Sequence, residues 1–392
     1  MTERERILAA IRGEIPDRIP WVPRLEFWYR ARLRSGSMPE NLRGLSLYEV
    51  AERLGVGYYA SVPDFTELEE EADMADRVLG IFNLPVLAHR TVLEGVERRV
   101  THRGRETVTE YHTPAGSIRA AEVLTDEMLD GGASVSWVTE HAVKSPSDFK
   151  TLGYIFSHLR VEPRPGYITR RKTVGERGAA VAYVIGTACP MQHIMKELMP
   201  LEQFFFALHD GPENIQRLAQ EMEPYYAQMR QRAADSEAEV VFLGGNYDDS
   251  ITYPRFFEAH ILPPLRDYAD SLHRRGKYLM THTDGENRLL VALYLRAGFD
   301  IADSLCPAPM TRMSLAEVRT AFEDRITIWG GIPSVLLCRD SASGSDFRLW
   351  IDDLIERYGH SSRFVLGVSD MVTADAEWDR LEYITEKVSR LS

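Results

Sequence analysis

From about residue 180 onward, short apolar runs alternate with amphipathic stretches. The runs are Val181–Ile185, Glu239–Leu243, Lys277–Thr281, Asp300–Asp303, Ile326–Gly330 and Phe364–Gly367. The amphipathic stretches fall near 212–234, 254–274, 286–297, 314–322, 346–358 and 376–390. Apolar runs of this length, bounded by turn residues, read as strands, and recurrence near 3.6 residues reads as helix. Two earlier segments extend the series: Arg18–Arg24, an apolar run punctuated by prolines, and 56–62, with a helix over 45–54 between them. Strict alternation predicts a parallel sheet with right-handed crossovers. Eight such units favour an α/β fold of the closed (β/α)8 barrel type.

Two regions depart from this rhythm. Thr2 with Glu5 forms the signature of a capping box, and the helix it starts places Ile7, Leu8 and Ile11 on one face before Gly13 and Pro16 end it. Residues 92–124 are rich in Val and Thr, with turns at Arg103-Gly104 and Pro114-Ala115-Gly116. Their alternation of apolar and polar residues predicts an antiparallel β insertion. It is too short to bury a core of its own, so residues 1–392 are expected to form one domain. Ser145-Pro146 then marks a helix start.

Composition narrows the class. Apolar residues make up 44% of the chain and charged residues 27%, enough for a large core and against disorder. With 46 basic and 59 acidic residues the net charge is −13, which disfavours nucleic acid as a partner. No apolar run approaches the roughly 20 residues that span a bilayer. The first residues read as a charged amphipathic helix and not a signal peptide. Cys189, Cys306 and Cys338 lie far apart, which argues against a disulfide framework and for a reducing, cytoplasmic setting.

In a barrel, polar residues just past a strand lie at the catalytic face. His282 and Asp284, two apart after the run Lys277–Thr281, suit half a metal site or an acid/base pair, while Asp284 also suits a helix cap. Gly244-Gly245 leads into Asn246, Tyr247, Asp248 and Asp249, a polar run whose Asp248 and Asp249 suit substrate or metal, or the acidic first turn of a helix. Cys306 follows another strand as a candidate thiolate or a small buried apolar residue. Asp370 follows the last strand as a candidate ligand or cap. Arg24, Glu26, Phe27, Trp28 and Tyr29 follow the first strand, as a wall that would stack on a flat ligand and pair with a carboxylate, or as a core-facing helix. Dinucleotide, phosphate-loop, nucleophile-elbow and HExxH motifs are absent from the sequence.

Several segments together resemble the uroporphyrinogen decarboxylase-like superfamily: PDRIP near the start, GTACPMQHIMKELMPLEQFFFALHDGPENI, FLGGNYDDS with the following TYPRFFEAHILPPLRDYADSLHRRGKYLMTHTDG, GFDIADSLCPAP and WGGIP. The resemblance covers most of the chain and is strongest from about 180 to the end. It implies a (β/α)8 barrel and two kinds of chemistry: cofactor-free decarboxylation of porphyrinogens, or zinc-dependent methyl transfer involving corrinoid proteins. Where the decarboxylases carry an arginine-rich N-terminal segment, this chain has Arg24 and then Glu26, which would repel a polycarboxylate. Where the methyltransferases carry His-x-Cys and a later Cys, it has His282, Asp284 and Asp370.

The resemblance therefore implies a metal-dependent methyltransferase or demethylase. Zinc would be held by His282, Asp284 and Asp370, with Cys306 as an alternative ligand. Asp248 and Asp284 are expected to be catalytic, and Arg24, Glu26, Trp28, Asn246 and Tyr247 to bind a small-molecule substrate. A separate corrinoid protein is the expected methyl donor or acceptor, and a homodimer the expected assembly. A metal-free decarboxylase or lyase and a non-enzymatic binding barrel are the alternatives.

Overall fold

The computed structural model describes residues 1–60, 73 and 75–391. In chain order its strands are Tyr58–Ala60 (β1), His89–Leu93 (β2), Glu97–Arg103 (β3), Glu106–Thr113 (β4), Gly116–Val123 (β5), Trp137–Glu140 (β6), Leu159–Pro163 (β7), Gly178–Ala180 (β8), Ala182–Tyr183 (β9), Val240–Gly245 (β10), Tyr278–His282 (β11), Ile301–Leu305 (β12), Thr327–Ile332 (β13) and Phe364–Val368 (β14). The fold is mixed α/β. Strands β9 to β14 form a six-stranded parallel sheet in chain order, and helices connect its strands. Separate antiparallel sheets pair β3–β4–β5–β6 and β2–β7. Part of the run expected at 56–62 lies outside the described residues; β1 covers Tyr58–Ala60 of it.

Side chains alternate across the parallel sheet with the two-residue period of a strand. Phe242, Met280, Ile301, Trp329 and Val365 fall in one buried cluster. Their neighbours Val241, Leu279, Ala302, Ile328 and Leu366 fall in another, packed beneath the outer helices. Both faces are covered, so the strands read as continuous apolar runs. The first cluster also receives Ile7, Leu8, Ala10 and Ile11 from the N-terminal helix Glu3–Arg12. This helix starts with the expected capping box at Thr2 and Glu5. It sits at the entry end of the strands, where Thr327 donates to the Ala10 carbonyl and Arg363 to that of Ile11.

Hydrogen bonds continue past both edges of the six strands. Val22 N–H donates to Leu366 O at 2.8 Å, and Leu366 N–H to Pro20 O at 2.9 Å. Gly57 N–H donates to Trp21 O at 2.9 Å. β1 pairs in parallel with β8, which leads after one residue into β9. The proline-punctuated segment 18–24 yields a single bridge, Trp21 to Leu366, because Pro20 and Pro23 have no N–H to give a ladder.

Other elements differ from expectation for local reasons. β12 runs to Leu305 through Ser304, whose φ of 60° coincides with a register shift against β13. The helix expected at 286–297 begins at Val291. Asn287 instead closes a turn by donating to the carbonyls of Thr283 and Gly285. The meander continues beyond 124, where β6 joins β5. Among the described residues no helix is long and apolar enough to cross a membrane.

Candidate functional site

Three polar side chains stand two residues beyond apolar residues of the first of these clusters. Arg24 follows Val22, His282 follows Met280 and Asp303 follows Ile301. The strand period therefore turns them to that same face, at its exit end. His282 and Asp303 are Cα partners in the β11–β12 ladder. Asp303 Oδ2 accepts a hydrogen bond from His282 Nδ1 at 2.7 Å. Asp303 is 1% exposed, and its Oδ1 has no hydrogen-bond partner. His282 Nε2 lies 3.4 Å from Asp370 Oδ1, just past β14. Arg24 donates to the same Asp370 oxygen at 2.9 Å and to Ser304 Oγ at 3.2 Å. Ser304 Oγ in turn donates to Asp303 at 3.2 Å. The result is a line of alternating charge, Arg24–Asp370–His282–Asp303, drawn from widely separated parts of the chain. Gly245 makes room for it: a Cβ there would sit 2.5 Å from that of His282.

The surroundings set the charges. Burial opposes ionisation of His282, but the hydrogen bond and charge of Asp303, with Asp370 beyond, outweigh it and raise the imidazole's pKa. Burial likewise works against ionised Asp370, yet Arg24 and His282 hold its carboxyl below the usual range. Asp284 is half-buried in the next loop; burial pushes its carboxyl up, opposed by His282. A cleft of about 800 Å³ opens beside this line, with Arg24 and Met371 on its wall together with Glu26, Phe27, Tyr29 and Tyr58.

The other expected site residues are placed differently. Asp248 ties two loops together, taking Ser250 N–H at one oxygen and Glu286 N–H at the other. Asp249 accepts from Leu289 N–H. Asn246 is exposed at φ 55° and gives its backbone N–H to His282 O. Tyr247 is fully buried on the helix-facing side, bonded to Thr281 Oγ1 at 2.8 Å, so it cannot contact a substrate. Trp28 is also fully buried. It stacks on Trp378 and donates to Ala376 O, so the aromatic wall is formed by its neighbours Phe27 and Tyr29.

Of the expected zinc ligands, His282 and Asp370 are brought within 3.4 Å of each other. Among the described residues no group of three or more His, Cys, Asp or Glu side chains could hold a metal. Asp370, one intended ligand, is neutralised by the Arg24 guanidinium, whose charge would oppose a dication. Cys306 is buried, burial pushes its thiol up to about 11, and its Sγ lies 3.7 Å from the Pro307 carbonyl. The donor set does not fit a three-ligand zinc site.

The strand-end rule points to the stretch that holds Asp303 and Ser304 but singles out only Cys306 within it. Asp303 ended an apolar run and read as part of the strand, and the turn of the backbone at Ser304 has no residue signature such as glycine. A carboxylate at the end of a buried strand, in register with a histidine, was the available signal.

No protein-family model matches this chain, and no curated protein matches its sequence. Among solved structures, a methyltransferase from Methanosarcina mazei superposes over 100% of this chain and 99% of its own, with a TM-score of 0.52 and 14% identity. That similarity is one of fold.

Proposed function

We propose that this chain is a closed (β/α)8-barrel enzyme that moves a methyl group from a small methylated substrate to a separate acceptor. Closure is supported by the bonds linking β14 to residues 20–22, these to Gly57, and β1 to β8. The observation that carries the functional reading is the His282–Asp303 pair, with its Nε2 turned toward Asp370 at the exit end of the strands. Enzymes of this architecture act at that end. The full-length likeness to a methyltransferase fold adds support.

In this reading His282 is a general acid. Asp303 fixes the ring by holding Nδ1–H and stabilises the imidazolium, as buried carboxylates do for catalytic histidines. Nε2–H then donates to the heteroatom of the substrate that carries the methyl group. As the acceptor attacks the methyl carbon, the carbon–heteroatom bond breaks, its electron pair stays on the heteroatom, and the Nε2 proton transfers there. Solvent reprotonates His282. Arg24 holds Asp370 in place, and the aromatic cleft wall excludes water from the reacting group. A corrinoid on a partner protein, the acceptor implied by the resemblance, would supply a strong nucleophile. No step requires zinc.

The test is demethylation of a panel of methoxylated and N-methylated small molecules in the presence of a reduced corrinoid, followed by mass spectrometry. Product formation by wild type and its loss in His282→Ala is expected. A wild-type protein that demethylates none of the panel, or an undiminished His282→Ala, would overturn the reading.

A further inference from the structure

The cleft beside the Arg24–Asp370–His282–Asp303 line differs in charge from the chain that builds it. The molecule carries a net −13. Yet among the described residues the cleft wall holds four guanidiniums, Arg24, Arg30, Arg164 and Arg170, against one carboxylate, Glu26. Arg24 is matched by Asp370 at the end nearest His282. The other three come from two parts of the chain. Arg30 lies on the helix Glu26–Ser35, Arg170 on the helix Gly166–Val174, and Arg164 just before the latter.

Local structure orients these side chains. Arg30 Nε donates to Gly132 O at 2.8 Å, and its guanidinium lies 5.4 Å from the centre of the Phe27 ring. Arg164 gives its backbone N–H to Ala88 O at 3.0 Å and its side chain to Leu84 O at 3.4 Å. Gly166 packs against the Pro85 carbonyl with no room for a Cβ, which seats the start of its helix on the cleft wall. These contacts fix direction and cancel no charge. The first turn of that helix holds no acidic residue, so its dipole adds to the positive field. Arg30, Arg164 and Arg170 are half-buried, and a guanidinium drawn partly out of water binds a carboxylate more strongly than one in bulk solvent. The same wall is aromatic: Phe27 and Tyr29 line it, with Tyr48 and Tyr58 stacked at 4.3 Å.

We propose that the cleft binds a flat aromatic acid, with its carboxylate held by Arg164 and Arg170 in the field of Arg30, and its opposite end directed to Arg24 and His282. Glu26 counts against a polycarboxylate, since a second anionic group beside it would be repelled. The proposal rests on the methyl-transfer reading only in making the end at His282 the methylated one.

The probes are 4-methoxybenzoate and its neutral counterpart 4-methoxybenzamide, chosen to suit the aromatic cleft. Calorimetry on the full chain would measure both in wild type and in two double variants, Arg164→Met with Arg170→Met and Arg164→Lys with Arg170→Lys. Wild type should prefer the acid by about tenfold, the equivalent of one charge-assisted hydrogen bond. The methionine pair should bind both probes alike, and the lysine pair should keep most of the preference. A wild type that binds neither probe or both alike, or a methionine pair that retains the preference, overturns the proposal. If the methionine pair does not fold, labelling of wild type with an arginine-selective dicarbonyl, mapped by peptide mass spectrometry, decides. Protection of Arg164 and Arg170 by the acid and not the amide supports the assignment, and equal labelling overturns it. Acid preference without demethylation would support the cleft assignment while counting against methyl transfer. Equal binding and equal demethylation of acid and amide would do the reverse.

Discussion

Asp303 and His282 are joined twice, as Cα partners across the β11–β12 ladder and by a 2.7 Å hydrogen bond between Oδ2 and Nδ1. The sheet itself therefore sets the imidazole's orientation, and removing the charge of Asp303 should disable the ring while leaving the strands intact. Asp303→Asn is expected to lower kcat by roughly 100-fold or more, the scale of a mis-oriented catalytic histidine. Steady-state kinetics beside circular dichroism would check this. A variant with native fold and near-native kcat would rule out the dyad as the acid.

The same pair predicts a pH profile. Asp303 and Asp370 raise the His282 pKa above its ordinary 6.5, so the imidazolium persists to higher pH than that of a free histidine. Activity that needs this proton should be full at lower pH and fall as pH rises through the raised value. In Asp303→Asn the falling limb should move to lower pH. A limb that stays in place, or a rate that rises with pH, contradicts the assignment.

Metal content follows from the Arg24–Asp370 contact. Protein purified without chelators should hold well below one zinc ion per chain, and His282→Ala should change that little. Elemental analysis of the two proteins side by side decides. Stoichiometric zinc in wild type that disappears in His282→Ala would restore His282 as a ligand and remove the metal-free mechanism.

His89, on β2, is buried, and its Nδ1 has no partner. Burial lowers its pKa from 6.5 to about 4. The unfolded chain takes up this proton near pH 6.5 and the folded chain near pH 4. Stability should therefore fall as pH drops across that window, with His89 contributing about 2–3 kcal/mol of the loss. Urea unfolding at several pH values would show it. His89→Leu should flatten the slope, and an unchanged slope would assign it to other groups.

Trp28 provides a control for the cleft. Trp28→Ala should cost about 3–5 kcal/mol through the void left against Trp378. The milder Trp28→Phe should cost less and leave the affinity for 4-methoxybenzoate unchanged. A large affinity loss in Trp28→Phe with little loss of stability would put the indole back in the binding wall.

Strands from β10 onward were legible because the sheet is apolar on both faces and each run is bounded by turn residues. Boundaries slipped where a side chain or backbone twist intervened, as Asn287 delays one helix and Ser304 prolongs β12. For the site, position after a strand named Arg24, His282 and Asp370, which the fold brings together. It could not tell which of the following residues turn outward. Tyr247 and Trp28 are both aromatic and both near strand ends, yet the rotation of their segments buries them under helices. Nor could it weigh Arg24 against Asp370, since that encounter spans 346 positions and carries no local signature.

That encounter also constrains when the molecule can work. Arg24 leaves the ribosome long before Asp370 has been made, and the imidazole between them needs both ends of the polypeptide brought home. Chemistry here is thus a late reporter of assembly: an emerging chain could hold most of its helices and strands and still lack the charge pattern at His282. The seam where Trp21 meets Leu366 is where that readiness is granted, and local fraying there should abolish the proposed activity before the rest of the molecule melts.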